Sequence, residues 1–382
     1  MSLRLLLSCG EASGDLYAGA LTRQLQLLSP GLEVSGLAGP EFVRAGGGLL
    51  VDYRGLSVTG FTEIVAKLPQ LRAARRRLLD EAKGTRPDAL VVIDFFGFNG
   101  RLARDAHTLG IPVIHYISPQ IWAWRPGRIR LIRDVTSLML VIFPFEETIY
   151  RDAGVPVEFV GHPLVDLAQA HTSRDELLRR LGLDPSAPVV AVLPGSRRSE
   201  LRRILPTLVD AIEPIRRTVS GAQFVFARAP NLDDTLFEPA RTLSGSAIVE
   251  GETDSVLAAA DIVLTASGTA TVQAALHDKP MVVVYKVSSL EYRIGRPFVN
   301  VDTFAMVNLI AGSRIVPELI QDGFTAQAVA AEAVSMLTDT SRAAHIREAL
   351  AQVRARLGGA GGSRRAAKAI LRTIGVSCDA LS

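Results

Sequence analysis

Short apolar runs rich in Val, Ile and Leu recur along the chain, each followed by a polar or glycine-rich turn and then by apolar positions at helical spacing. That alternation predicts parallel sheets with crossover helices. Strands are predicted at 3–8, 33–37, 89–94, 113–116, 138–142 and 157–160 in the first half, and at 189–193, 223–227, 247–249, 261–264 and 281–285 in the second. Their apolarity is continuous rather than alternating, as in strands covered on both faces. Gly161-His162-Pro163-Leu164 and the polar stretch ending Ala170-His171-Thr172-Ser173 mark the expected boundary, giving domains 1–165 and 166–354. The expected fold class is α/β, with two Rossmann-like doubly wound domains facing a cleft, where open α/β sheets bind ligands. Residues from Thr325 onward read as helices interrupted by Gly358-Gly359-Ala360-Gly361-Gly362, a hinge or turn with no strand before it.

Composition narrows the classes. A chain of 382 residues is long enough for two domains, and 48% hydrophobic with 21% charged residues is globular. No stretch approaches the roughly 18 unbroken apolar residues of a membrane-spanning helix. Cys9 and Cys378 stand at opposite ends without a Cys-x-x-Cys or Cys/His cluster, so neither a disulfide scaffold nor a metal site is expected. The start lacks signal-peptide features, which gives a cytoplasmic expectation. A net charge of +3, although carried mostly by arginine, is no nucleic-acid stripe.

Candidate chemistry gathers at the strand ends. The turn Cys9-Gly10-Glu11-Ala12-Ser13-Gly14-Asp15 leads into a helix and presents backbone N–H groups to an anion or a sugar hydroxyl; the alternative is that Ser13 or Asp15 caps the helix. The run 90–94 delivers Asp94 at a strand's carboxyl end, followed by Phe95-Phe96-Gly97-Phe98-Asn99. Asp94 is the candidate base, with a helix cap as its plainer role. Ser118-Pro119-Gln120-Ile121-Trp122-Ala123-Trp124-Arg125 spends both tryptophans in one loop, as a binding wall or a packing plug. Pro194-Gly195-Ser196-Arg197 and Ser267-Gly268-Thr269-Ala270 each follow a strand and open a helix. Two such turns suit a nucleotide diphosphate, with Arg197 adding charge. There is no Gly-x-x-x-x-Gly-Lys-Ser/Thr, no Gly-x-Gly-x-x-Gly after a strand and no Asp-x-Asp, which speaks against kinase, dehydrogenase and metal-dependent transfer.

Between Gly60 and Leu79, Phe61, Ile64, Val65, Leu68 and Leu71 fall at helical spacing beside Lys67, Arg72, Arg75, Arg76 and Arg77. An apolar stripe with flanking cations suits an anionic membrane surface. An amphipathic helix covering a sheet has the same pattern.

Six motifs in order, namely Gly10-Glu11-Ala12-Ser13-Gly14-Asp15, Ile117 to Arg125, Pro144-Phe145-Glu146, Gly161-His162-Pro163-Leu164, Leu193 to Arg197 and Ser267-Gly268-Thr269-Ala270, resemble lipid-A-disaccharide synthase over nearly the whole chain. The resemblance implies a GT-B glycosyltransferase with an N-terminal acceptor-binding domain, a C-terminal UDP-sugar domain, and terminal helices (355–382) crossing back to the first. It implies inverting, metal-independent transfer from UDP-2,3-diacylglucosamine to the 6-hydroxyl of 2,3-diacylglucosamine 1-phosphate, giving a β-1,6 disaccharide and UDP. The enzymes of this family work without a cofactor, peripherally on the cytoplasmic face of the inner membrane. The family's catalytic Asp falls on Asp94, its UDP-contacting Arg on Arg197, and a further binding Asn on Asn308. One position departs: Gln273 stands where members usually carry a Glu able to accept from both ribose hydroxyls, and an amide offers one acceptor atom and no charge. Gly195, Ser196, Ser267, Gly268, Thr269 and Gln273 complete the expected donor site. Glu11, Ser13, Gly14, Asp15, Asn99, Ser118, Gln120, Trp122 and Trp124 form the expected acceptor side or cleft. A UDP-N-acetylglucosamine 2-epimerase-like isomerase and a non-catalytic sugar-nucleotide binder remain alternatives, and a homodimer stays open.

Overall fold

The computed structural model describes residues 3–56, 61–120, 126–230, 232–288, 292 and 303–376, with side chains 61–66 and 126 outside the description. The chain divides into two units, one holding Met1–Asp166 and Leu357–Ser382, the other Leu167–Pro297 and Val301–Arg356.

In the first unit the strands are β1 (Arg4–Cys9), β2 (Glu33–Ala38), β3 (Gly48–Asp52), β4 (Ala89–Ile93), β5 (Val113–Tyr116), β6 (Leu138–Val141) and β7 (Val157–Phe159). They form one parallel sheet in the order β3-β2-β1-β4-β5-β6-β7. The connecting helices are α1 (Ala12–Leu28), α2 (Pro40–Arg44), α3 (Phe61–Thr85), α4 (Phe96–Thr108), α5 (Ile129–Val135) and α6 (Pro144–Asp152), with the short α7 (Leu164–Leu167) after β7. Leu5, Leu6, Leu7 and all of Leu90, Val91, Val92 and Ile93 are at most 2% exposed, because helices cover both faces of the sheet. The sequence pattern did not predict β3. It is an edge strand whose apolar run, Leu49-Leu50-Val51, is short, half-exposed or exposed, and hemmed in by glycines and Asp52.

On α3, Ala74, Leu78 and Ala82 are buried with Leu71 packed beside them, a 3–4 spacing that lays one face on the sheet. From Leu71 onward the stripe is therefore core, a correction to its reading as a free docking face. Leu68 is half-buried, Arg72, Arg76 and Arg77 are exposed, and Arg75 pairs with Asp105 at 3.0 Å. The side chains of Phe61, Ile64 and Val65 lie outside the described residues.

The helix Gly362–Thr373 packs on α1 through a face that buries Ala366, Ala367, Ala369, Ile370 and Leu371. Its start is fixed by the Asp166 carboxylate, which accepts from the amides of Gly361 (2.8 Å) and Gly362 (3.1 Å). The glycine cluster is a close-packed turn: a Cβ on Gly358, whose φ is +82°, would come within 3.0 Å of the Cα of Gly161.

The second unit repeats the plan with β8 (Val189–Leu193), β9 (Gln223–Arg228), β10 (Ser246–Glu250), β11 (Ile262–Ala266), β12 (Met281–Tyr285) and β13 (Glu318–Ile320). The order is β10-β9-β8-β11-β12-β13, again all parallel. Its helices include α8 (Arg174–Arg180), α9 (Arg198–Asp210), α10 (Ile212–Thr218), α11 (Glu238–Arg241), α12 (Thr253–Ala259) and α13 (Thr269–Leu276), followed by Met306–Ala311, Ala326–Thr338 and Thr340–Arg356. In each sheet the strand order reverses at one place, between β1 and β4 and between β8 and β11. Open α/β sheets bind ligands outside the carboxyl ends of the strands at such points. Among the described residues no helix is long and apolar enough to cross a membrane.

Candidate functional site

At the first switch point β1 ends in Gly10 and β4 ends in Asp94. Asp94 is exposed and, unusually for residues that are not glycine, both it (φ +42°) and Phe95 (φ +48°) adopt the left-handed region. Each such residue costs on the order of 1 kcal/mol and persists only where its surroundings enforce it. Here Asn99 enforces it. Its side-chain amide donates to the carbonyls of Ser8 (3.2 Å), Ile93 (3.2 Å) and Asp94 (2.8 Å), while its oxygen accepts from Ser8 Oγ at 2.6 Å. Gly10 makes room for the turn, since a Cβ there would lie 2.3 Å from the Phe95 ring. The two strand ends are thus stapled together and Asp94 is displayed at their rim. Asn99 is fully buried, so it positions Asp94 rather than lining a binding surface, a correction to its placement on the acceptor side.

Asp15 is corrected in the same way. It is 2% exposed, and its carboxylate accepts from the amides of Gly39 (2.7 Å), Glu41 (3.0 Å) and Phe42 (3.1 Å), capping α2 rather than facing a ligand. It does not cap its own helix, and neither does Ser13. The N-cap of α1 is Glu11, with no side-chain cap bond. Gly14 is buried against Cys9, whose thiol pKa is pushed up, first by burial and then by the nearby Asp15 charge.

Beside Asp94, β5 ends in another left-handed residue, Ile117 (φ +67°), and then Ser118. Ser118 is 4% exposed and donates to Glu146 Oε1, so it belongs to the interior rather than to an acceptor surface. Glu146, 1% exposed on the first turn of α6, also accepts from the Phe143 amide at 3.3 Å. One turn on, Tyr150 donates to the Pro119 carbonyl at 3.2 Å. Its phenol pKa is raised by burial, with smaller contributions from the Glu146 and Asp94 charges. Glu146 and Tyr150 thereby fix the Ser118–Gln120 backbone next to Asp94. Sequence reasoning gave neither a role, although an acid three residues into a helix is a capping signal. Gln120 is exposed, and Trp122 and Trp124 lie outside the described residues.

At the second switch point, Gly195 (φ +121°) bends the chain between β8 and α9. Its amide neighbour is not vacant: Glu200 Oε2 accepts from the Ser196 N–H at 3.1 Å, and Arg197 reaches Glu200 Oε1 at 3.2 Å. A Cβ on Gly195 would fall 2.6 Å from Glu200 Oε2, so only glycine lets this carboxylate fold back over the turn. Glu200 has no role in the sequence reading, although its place in the first turn of α9 is a capping signal. Ser196 is exposed and Arg197 is half-exposed.

After β11, Ser267 donates to the Phe304 carbonyl at 2.8 Å, and Gly268 precedes Thr269, the first residue of α13. The loop it touches is held by Glu318, which accepts from the amides of Phe304 (2.8 Å) and Ala305 (3.0 Å). Glu318 in turn receives Asn308 Nδ2 at 2.7 Å. Asn308 is 1% exposed and fully bonded, donating also to the Val316 carbonyl (3.0 Å) and accepting from the amides of Ile315 (2.9 Å) and Val316 (3.0 Å). Its side chain braces the loop beside Ser267, a correction to its placement as a direct ligand. Gln273, on the next turn of α13, donates to both oxygens of Asp254 at 3.2 Å, and His277 Nε2 meets the same carboxylate at 3.0 Å.

Comparison with known proteins adds an independent line. A family model described as lipid-A-disaccharide synthetase matches residues 5–373. The chain is 41% identical to the lipid-A-disaccharide synthase of Syntrophus aciditrophicus (strain SB), over 97% of each chain, and 42% identical to that of Koribacter versatilis (strain Ellin345), over 97% of this chain and 98% of the other. Among solved structures it is similar to the UDP-GlcNAc 2-epimerase from Neisseria meningitidis bound to UDP-GlcNAc (TM-score 0.66, 13% identity, 97% and 100% covered). It is also similar to the calicheamicin glycosyltransferase CalG4 (TM-score 0.59, 15% identity, 98% and 99% covered). At such identities the structures speak for the fold alone, that of GT-B glycosyltransferases and related epimerases.

Proposed function

Since the chain belongs to the lipid-A-disaccharide synthase family, and is therefore a glycosyltransferase using a UDP-sugar donor and a lipid acceptor, we propose that it performs the transfer with Asp94 as its base. The donor is UDP-2,3-diacylglucosamine and the acceptor 2,3-diacylglucosamine 1-phosphate. Asp94 takes the proton from the acceptor's 6-hydroxyl as that oxygen attacks the anomeric carbon, and the bond to UDP breaks in the same inverting step. Negative charge growing on the departing diphosphate is met by first-turn amides of α9 and α13 and by Arg197. The first unit thus supplies the base and the second the grip on UDP.

The observation that carries this reading is the display of Asp94: a carboxylate at a switch-point strand end, on a left-handed turn that Asn99 enforces. The Glu200 carboxylate, which accepts from the Ser196 amide, supports reading the α9 turn as one that takes anionic oxygen. The isomerase alternative rests on likeness of fold, which this family shares with epimerases. A mass-spectrometric transfer assay with both acylated substrates tests the proposal. A β-1,6 disaccharide phosphate is expected, and conversion of UDP-N-acetylglucosamine alone would favour the isomerase instead.

Acylated substrates reside in a bilayer, so the same proposal places the enzyme peripherally on an anionic membrane face, with the exposed arginines of α3 among its contacts.

A further inference from the structure

Three side chains at the α12–α13 junction form a closed set. Asp254, in the first turn of α12, receives Gln273 Nε2 on both oxygens at 3.2 Å, and shares Oδ1 with His277 Nε2 at 3.0 Å. A carboxylate only accepts, so it is the nitrogen end of the Gln273 amide that must face it. The orientation of the amide is therefore not free: Oε1 points the other way, and among the described residues it receives no hydrogen bond.

We infer that Asp254, buttressed by His277, is a positioning residue that locks the Gln273 amide oxygen outward as an acceptor for a hydroxyl of bound UDP. The inference rests on the reading that α13 holds the nucleotide. It also explains why an amide stands at 273. A glutamate there would bring its carboxylate to within about 3 Å of Asp254, and two carboxylates at that range cannot both stay ionised without large cost. In this chain the charge sits at 254 and the acceptor at 273. The roles are divided between two residues rather than merged in one.

The test is a charge swap on the full-length enzyme, read by the dissociation constant of UDP and by KM for the donor against kcat. Gln273→Glu is expected to weaken UDP binding about tenfold while kcat at saturating donor holds, since neighbouring groups couple by roughly 0.5–3 kcal/mol. Asp254→Asn, which frees the Gln273 amide to turn, is expected to weaken it a few-fold. The double variant Asp254→Asn with Gln273→Glu rebuilds a donor facing an acceptor, and is expected to return within about threefold of the parent rather than add the two losses. Wild-type UDP affinity in Gln273→Glu, or simple additivity in the double variant, would overturn the positioning role. Gln273→Ala separates the two levels of the argument: if it and every other variant bind UDP like the parent, the nucleotide is not at α13 and the site reading itself fails. Thermal midpoints measured without nucleotide follow the repulsion alone, so they are expected to fall in Gln273→Glu and recover in the double variant; no fall would also overturn the inference.

Discussion

A single amide holds the candidate base in place. Asn99 bonds three carbonyls and one hydroxyl across two strand ends, so replacing it with leucine of similar bulk strands those groups in the interior. Loss of about 1–3 kcal/mol in urea denaturation is expected, together with a lower kcat, because Asp94 and Phe95 then relax from their left-handed conformations. Asp94→Asn separates chemistry from structure. Turnover is expected to fall at least about a hundredfold, at the low end of general-base contributions, while UDP affinity stays unchanged. Near-normal turnover would remove Asp94 from the base role. At this scale the sequence showed where a polar side chain ends an apolar run, which is how Asp94 stood out. It did not show what a polar side chain bonds to. Asp15 finds its partners at Gly39, Glu41 and Phe42, and Asn99 reaches back to Ser8, and no local pattern announces such pairs. Only such partners tell that Asp15, Asn99, Ser118 and Asn308 bond inward.

Among the elements, buried parallel strands were legible because burial on both faces leaves an unbroken apolar run, whereas the edge strands β3 and β13 are half-exposed or exposed and offer only Leu49-Leu50-Val51 and Leu319-Ile320. A buried strand can still hold a polar residue, and β5 does. His115 is buried with its Nε2 lacking a hydrogen-bond partner, and burial pushes its pKa down from 6.5 to about 4. The unfolded chain takes up this proton near pH 6.5 and the folded one only near 4, so the stabilisation is complete above 6.5 and is lost as pH falls through that window. His162, pushed down to about 3 by burial, acts in the same direction. His115→Leu is expected to be at least as stable at neutral pH, and to flatten the decline between pH 6.5 and 4 by up to about 1.4 kcal/mol per pH unit. An unchanged slope in urea midpoints across that range would count against it. Helix α3 presents Arg72, Arg76 and Arg77 to solvent while its apolar face covers the sheet. In the proposed membrane docking, the part of α3 from Leu71 onward therefore contributes through charge. Sedimentation with anionic vesicles is expected to be strong at low salt, weak near 0.5 M salt, and reduced by Arg72→Glu with Arg76→Glu. Equal binding to neutral vesicles would show that these arginines are not the contact.

For the molecule as a whole, periodicity announced two sheets but not which sheet the last helix covers, since an amphipathic stripe is the same whichever partner buries it. The return to the first domain is an expectation of the family resemblance; the last helix's own contacts lie with residues of the first unit. Gly362–Thr373 buries Ile370 and Leu371 with three alanines against the first unit, Asp166 caps its start, and the Leu357 carbonyl accepts from the His162 amide at 2.8 Å. Burying the two large side chains alone stabilises by about 1.5–3 kcal/mol each, a large part of the 5–15 kcal/mol that holds a typical domain together. The proposed UDP contacts, by contrast, all lie between Leu167 and Arg356. A chain ended at Arg356 therefore separates the two units functionally: the first is expected to become protease-sensitive and transfer to vanish, while UDP binds with its dissociation constant unchanged within about twofold. Loss of UDP binding in that truncated chain would mean that the nucleotide needs residues of the first unit, and the assignment of the donor grip to the second unit alone would fall.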